Sequence, residues 1–325
     1  MAKFMNALQI ISRGKTEFVK AEIPNLKPGY VLVKPKLVSL CGSDIWTLHY
    51  SADEMYPFPP GSSGHEIIAE IVEIDSDFET FKIGDECLVI APDHRGMAEY
   101  YLAEQKNLIP LNSEKTLEEL LMSQQLGTVI YAAKQMPNII GKTVAVIGQG
   151  SAGQWFNFIL RRLGALKILG IDKIGGRLKL SKDYGATHTF NNSKESVIDY
   201  LKEINEGELA DFVIEASGTM SAINLSFELA KNDLGFILQF GVPREPMEID
   251  YYTMLTKCLT IRSIDHAHRE NGHSSTKHAM ELISSGIIDT KPILTHRFSF
   301  REVKKAYEIH RNASDDCHKI VIEIH

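Results

Sequence analysis

The pattern of apolar and polar positions changes twice along this chain of 325 residues. Up to about residue 111 the apolar residues fall in short β-branched or alternating runs, which predict strands at Ala7–Ile11, Phe18–Glu22, Tyr30–Leu40, His65–Ile74, Glu86–Ile90 and Ala98–Leu108. Turn signals separate them at Pro24-Asn25, Lys27-Pro28-Gly29, Pro57–Gly64 and Ile83-Gly84-Asp85. Short strands at this spacing predict a small barrel or sandwich. Glu114–Gln125 and Thr128–Lys134 then read as helices. From Thr143 onward, continuous apolar runs alternate with helical periods. Strands are expected at Thr143–Ile147, Lys167–Ile171, Thr187–Phe190, Asp211–Glu215, Gly235–Phe240 and Leu259–Ile264. Helices are expected at Gln154–Leu163, Arg177–Tyr184, Lys194–Ile204 and Ser221–Leu229. That alternation predicts an α/β fold with a doubly wound parallel sheet. After about residue 265 it breaks. A helix at His278–Ser284, a strand at Ile293–Phe298, a helix at Arg301–Arg311 and a strand at Lys319–Ile324 remain. The simplest arrangement returns this tail to the first β region, giving one domain from 1–125 and 266–325 and an inserted domain at 126–265.

The first strand of the insert runs into Gly148-Gln149-Gly150-Ser151-Ala152-Gly153, which fits G-x-G-x-x-G. Each glycine has a physical task there. Gly148 makes the tight turn, Gly150 leaves the backbone open to a pyrophosphate, and Gly153 lets helix and strand pack closely. The following helix offers free N–H groups and a positive dipole end, beginning at Ser151. A second strand ends in Asp172, 19 residues past Gly153, where an acid can bind an adenosine ribose. The motif alone is weak; strand before, helix after and acid at this distance together point to a dinucleotide.

Composition narrows the class. With 44% apolar and 24% charged residues and a net charge of −7, the chain is of the globular kind and lacks a basic surface for nucleic acid. No apolar run reaches the roughly 18 residues of a membrane helix, and the N-terminal stretch is a poor signal peptide. The four cysteines form no C-x-x-C pair, so a disulfide framework and a zinc ribbon are not expected, and a cytoplasmic location is.

Candidate chemistry sits in the first β region. Cys41-Gly42-Ser43-Asp44 follows a strand, and Gly64-His65-Glu66 comes about twenty residues later. Cys41 alone reads as a small buried apolar residue, and His65 alone as a structural histidine. Together with Glu66 they form a plausible thiolate, imidazole and carboxylate set for zinc. Asp44 can then orient His65 through its second nitrogen. The histidines His266, His268 and His273 lie in a polar loop and are expected at the surface or a cleft rim. Trp155, Phe156 and Phe158 are expected as helix core contacts.

The order CGSD, GHE, Gly84-Asp85, GMAEY and VIGQGSAG resembles the medium-chain, zinc-type alcohol dehydrogenases over nearly the whole chain, and their polyol and threonine dehydrogenase branch most. The resemblance implies a GroES-like catalytic domain split around a Rossmann domain. It also implies hydride transfer between NAD and a secondary alcohol, polyol or related hydroxy compound and its ketone. In that pattern Cys41 and His65 match zinc ligands, and Glu66 matches an acid beside the metal that ligates it in some members. Ser43 matches the hydroxyl that begins a proton relay. Thr128 matches a threonine beside the nicotinamide, Gly241 and Val242 backbone lining that pocket, Asp172 and Arg177 an acid–base pair at the ribose, and Lys319 a basic residue near the pyrophosphate. A homodimer or homotetramer with a small-molecule alcohol or ketone substrate is implied as well.

Three departures stand out. The interval after Gly84-Asp85 is only ECLVIAPDHR, so the four-cysteine structural-zinc lobe is missing and Cys87 is expected in the core. The usual third ligand aligns with Gln124, a poor zinc donor. Trp46 stands where many relatives place a relay histidine. One catalytic zinc per chain is therefore expected, held weakly by Cys41, His65 and Glu66. A zinc-independent reductase of the quinone oxidoreductase type, or a nucleotide-binding protein without catalysis, are the alternative readings.

Overall fold

The computed structural model describes residues 3–324 apart from 76, 77, 79, 112, 113, 194, 244, 245, 266 and 315. The chain divides into two compact units, Met1–Gly127 with His268–His325, and Thr128–Ala267.

The first unit is a GroES-like β domain. Its strands before the insert are β1 (Phe4–Ser12), β2 (Lys15–Glu22), β3 (Tyr30–Ser39), β4 (Glu66–Ile74), β5 (Glu86–Ile90), β6 (Tyr101–Glu104) and β7 (Leu108–Pro110). Helix α1 (Gly42–His49) follows β3, and α2 (Leu117–Leu121) follows β7. The run expected as one strand over Ala98–Leu108 is two, broken by a 3-10 turn at Gln105–Asn107. The break turns Asn107 inward, where it is buried. Helix α1 is absent from the apolar pattern because its first turn is set by a side chain. Asp44 at the third helical position reaches back to the Cys41 N–H, Oδ2 accepting at 2.8 Å.

Helix α3 (Ser123–Ala133) leads into the second unit, a Rossmann domain. Strands β8 (Thr143–Ile147), β9 (Lys167–Asp172), β10 (His188–Asn191), β11 (Phe212–Glu215), β12 (Phe236–Gln239) and β13 (Thr260–Ser263) alternate with α4 (Ser151–Arg162), α5 (Gly175–Asp183), α6 (Val197–Ile204), α7 (Met220–Leu229) and α8 (Tyr251–Thr256). Among the described residues they form a six-stranded parallel sheet ordered β10-β9-β8-β11-β12-β13. Its switch point lies between β8 and β11, where a doubly wound sheet takes its ligand. The fully buried run TVAVI makes β8 the natural centre. Lys194, expected to open α6, lies outside the described residues. Helix α8 escapes the apolar period because it buries none of its residues; an N-cap holds it, with Asp250 Oδ1 accepting from Thr253 N at 2.9 Å.

The tail supplies α9 (Ser274–Ser284), β14 (Leu294–Ser299), α10 (Val303–Asn312) and β15 (Lys319–Glu323). β15 pairs antiparallel with β3, extending the first unit's sheet to β14-β15-β3-β4-β5-β7. Residues from both ends of the chain, Leu8 and Val33 with Val303 and Ile322, share one core. Among the described residues no helix is long and apolar enough to cross a membrane.

Candidate active site

Strand register builds the first cluster. Ser39 at the end of β3 stands opposite Glu66, the first residue of β4, and opposite Val321 of β15. Lys319, two residues before Val321, thus reaches the same end of the sheet. The Ser39 hydroxyl donates to Glu66 Oε2, and Lys319 Nζ lies 2.6 Å from the same oxygen, with both charged side chains 1% exposed. Glu66 Oε1 is buried without a hydrogen-bond partner and stands 3.8 Å from His65 Nε2. Cys41, the N-cap of α1, completes the group. One donor atom each from Cys41, His65 and Glu66 lie within 4.8 Å of one another.

Asp44 ties these parts together. Its Oδ2 accepts from Cys41 N, and its Oδ1 accepts from Gly64 N at 3.0 Å, so one buried carboxylate joins the start of α1 to the turn before β4. Burial opposes its ionisation, but His94, His65 and the Cys41 N–H more than offset that and hold it well below the usual carboxylate range. Burial pushes the Cys41 thiol up, and the Glu66 charge adds to this while Lys319 opposes it. A bound cation would reverse that balance, because a coordinating thiol ionises. Ser43 Oγ is buried without a hydrogen-bond partner. Cys87 is in the core, its thiol pushed up to about 12 by burial.

The second cluster is the glycine loop. Gly148 has φ +91°, a conformation that favours glycine. A Cβ on Gly153 would stand 1.9 Å from Gly148 O, so the first turn of α4 packs against the loop only without a side chain. A Cβ on Gly150 would meet nothing nearer than Arg177 Nη1 at 3.9 Å, which leaves that face of the loop open. Asp172 closes on the loop: Oδ2 accepts from Gln149 N at 2.7 Å, Oδ1 from Ile174 N at 2.9 Å, and Arg177 Nη1 is 3.9 Å from Oδ2. Behind the loop lies a buried amide network that the motif does not announce. Gln149 donates to Val146 O and accepts from Asn157 and Ser181, while Gln154 donates to Gln149 O and Arg177 O.

The switch point holds a further acid. Glu215 ends β11 fully buried; its Oε1 accepts from Ser217 N and Oγ and from Gly218 N, each within 2.8 Å. Burial raises its pKa, against those hydrogen bonds. A Cβ on Gly241 would lie 2.6 Å from Glu215 Oε2 and 2.2 Å from Gly218 N, so this acid and two glycines pin the β11 and β12 loops together.

Of the residues singled out from sequence, Ser43, Cys41, His65 and Glu66 gather in the first unit. Gly148, Gly150, Ser151, Gly153, Asp172 and Arg177 gather in the second. Thr128 begins the second unit, and Gly241 and Val242 follow β12. Lys319 stands beside Glu66. Gln124 is buried in α3. His266 lies outside the described residues. His273, expected at the surface or rim, is instead buried, Nε2 3.1 Å from Asn107 Oδ1. Trp155 and Phe156 are core residues, stacked edge-on with Tyr184 and Phe240. His94 and Glu215 were not singled out: a lone histidine in a loop and an acid ending a strand carry no spacing signal.

Residues 27–113 match the alcohol dehydrogenase GroES-like domain, and 152–285 match the zinc-binding dehydrogenase domain. The chain is 30% identical to an L-threonine 3-dehydrogenase of Caldanaerobacter subterraneus subsp. tengcongensis over 94% of each sequence. The chain belongs to the medium-chain, zinc-type alcohol dehydrogenase family. It is 27% identical to D-xylulose reductase A of Aspergillus oryzae over 90% of each sequence. Its fold matches an Escherichia coli alcohol dehydrogenase crystallised with NADH, with a TM-score of 0.84, 22% identity and 99% of each chain covered. As a member of this family it is a dehydrogenase of the alcohol and polyol class that uses a nicotinamide cofactor.

Proposed function

We propose that this chain is an NAD-preferring, zinc-dependent dehydrogenase of a secondary alcohol, polyol or related hydroxy compound. The observation that carries this reading is the gathering of Cys41, His65 and Glu66 around an unpartnered buried carboxylate oxygen. Sulfur, nitrogen and oxygen donors of this kind fit zinc, and Asp44 Oδ1, 3.9 Å from Nδ1, would orient His65 on closing to hydrogen-bond distance. Zinc held there supplies Lewis acidity toward an alcohol or carbonyl oxygen. Ser43 Oγ, with its hydrogen-bonding capacity unused, would begin a proton relay, accepting the substrate's hydroxyl proton as it passes its own onward. The loop from Gly148 to Gly153 and the N-terminus of α4 hold the pyrophosphate. Asp172 and Arg177 take the adenosine ribose, and the Asp172 carboxylate repels a 2′-phosphate. Thr128, Gly241 and Val242 line the nicotinamide, with Glu215 fixing the last two. Lys319 Nζ, 2.6 Å from Oε2, holds Glu66 in place, which is a second use for a residue read from resemblance as a phosphate partner.

A homo-oligomer completes the reading. The outer edge of β13 has no strand beside it among the described residues, and Tyr252 and Leu255 of the adjoining α8 are 77% and 58% exposed. An open strand edge beside apolar surface is a natural place for a second copy of the chain.

The test is a panel of secondary alcohols, polyols and L-threonine with zinc-loaded protein, following reduced nicotinamide by absorbance. NAD is expected to exceed NADP by at least about tenfold in kcat/KM, about 1.4 kcal/mol, and Cys41→Ser to remove turnover. Full turnover in metal-free protein would replace this reading with the zinc-independent reductase. NADH binding without turnover on any substrate would replace it with the non-catalytic one.

A further inference from the structure

The loop from Ala91 to Gly96 stands where relatives carry the cysteine-rich lobe, and in this chain it folds back on His65. Ala91 N donates to His65 O at 3.2 Å, Gly96 N to Gly64 O at 2.9 Å, and Met97 N to Ser63 O at 3.0 Å. A Cβ on Gly96 would stand 2.6 Å from Ile67 Cδ1 and 3.0 Å from Gly64 O, so the loop packs closely here. His94 takes a left-handed conformation, φ +53°, within it. Its ring lies 4.3 Å from that of His65, centroid to centroid.

These contacts create a second group of donors on the other side of the His65 ring. Asp44 Oδ1 is 3.9 Å from His65 Nδ1 and 4.0 Å from His94 Nδ1. Both distances are too long for hydrogen bonds. Both Nδ1 atoms are nevertheless buried and have no hydrogen-bond partner. Buried polar atoms without partners are costly, and two of them facing one carboxylate oxygen ask for a common partner. Ligands about 2.1 Å from one tetrahedral ion stand about 3.4 Å apart, so each imidazole nitrogen and Asp44 Oδ1 would close by about half an ångström to hold one.

Charge favours a cation here. Glu66, the acid of the family cluster, already has the ammonium of Lys319 against it. Asp44 has no lysine or arginine within ion-pair distance among the described residues. An ion on the Asp44 side meets a carboxylate flanked by imidazoles and backbone N–H groups with no ammonium or guanidinium against it, whereas one on the Glu66 side meets a carboxylate already paired with Lys319.

We infer that Asp44, His65 and His94 form a second, thiolate-free site for a divalent cation. It uses His65 Nδ1, while the Cys41–His65–Glu66 set faces Nε2. A neutral imidazole offers a lone pair on only one nitrogen, so the two sites are alternatives and the chain still holds one ion. Two imidazoles and a carboxylate suit Co²⁺ or Ni²⁺ as well as zinc, and a thiolate site favours softer metals. This inference stands on the 91–96 loop and not on the catalytic reading of Cys41.

Titration of metal-free protein with Co²⁺ tests it, reading absorption spectra and affinity. A thiolate-bound Co²⁺ shows a sulfur-to-metal charge-transfer band; an ion on Asp44, His65 and His94 does not. Cys41→Ser is expected to keep one Co²⁺ per chain, with ligand-field bands only. His94→Ala and His94→Gln in that background are expected to weaken it by at least about tenfold, with circular dichroism confirming the fold. Loss of all Co²⁺ binding in Cys41→Ser would overturn the site. So would unchanged affinity in both His94 variants, or no binding by the parent. Turnover measured alongside separates the two readings: full turnover in Cys41→Ser refutes the catalytic zinc alone, and unchanged binding in the His94 variants refutes this site alone.

Discussion

In the 128–267 unit, the residues proposed to hold the pyrophosphate and adenosine ribose fall within one strand–turn–helix–strand passage and the helix after it, from Gly148 to Arg177. In the other unit, Cys41, His65, His94 and Lys319 come from four separate segments, and the whole inserted unit intervenes before the last of them. The first site is made by local backbone geometry: a glycine at φ +91°, another without room for a Cβ, and an acid that closes back on the turn. The second is made by sheet pairing, which sets β15 beside β3 and β3 beside β4 and so brings Lys319 to Glu66. A local site is fragile at its glycines. A paired one is fragile at its charges.

Lys319→Met should show the larger fragility. It leaves Glu66 as a buried carboxylate with only Ser39 and no cation, which costs about 3–5 kcal/mol. Adding Glu66→Gln should recover most of that loss. Urea unfolding of the single and double variants measures both, and a single-variant cost below about 1 kcal/mol would erase the contrast.

Gly153→Ala probes the other site. The new Cβ meets a backbone oxygen, not a movable side-chain end, so the loop itself must shift. NADH affinity should fall about a hundredfold, about 2.7 kcal/mol, with stability lowered by about 1–3 kcal/mol. Fluorescence titration with NADH decides it, and near-normal affinity would show the loop to be less constrained than its geometry implies.

The smallest effect concerns Glu215 and pH. A carboxyl whose folded pKa lies above its ordinary value binds its proton more tightly in the folded state. The folded state therefore loses stability as pH rises from the ordinary value near 4.5 through the raised one, and the loss then levels off. Glu215→Gln removes that decline. Its unfolding free energy relative to the parent should rise with pH across the window and stay flat above it. Parallel curves for both proteins in urea at several pH values would mean that the Ser217 and Gly218 hydrogen bonds cancel the burial.

The same contrast governs what was legible in the sequence. The six strands of the second sheet could be read because each is a short apolar run between helical periods, and the glycines because their spacing is the geometry. Cys41, His65 and Glu66 could be read as a set from donor chemistry. Their surroundings could not. His94 reaches His65 through backbone bonds between two loops, and Lys319 reaches Glu66 through strand register. Neither leaves a periodic trace. Helix α1 was hidden because a cysteine caps it and an aspartate secures the cap. His273 was hidden because its buried partner, Asn107, lies in a turn where a continuous strand was expected.

The late position of Lys319 has a consequence for how the protein is born. A ribosome releases β3 and β4 long before β15, and between them it releases every strand of the nucleotide-binding sheet. That sheet has all its own partners in hand while the other is still missing one. Throughout this interval Glu66 lacks its ammonium and β3 lacks the strand that will cover it. The half proposed to hold metal is therefore the last to mature, and a nascent chain stalled before Lys319 carries a complete nucleotide-binding sheet and an unfinished candidate metal pocket.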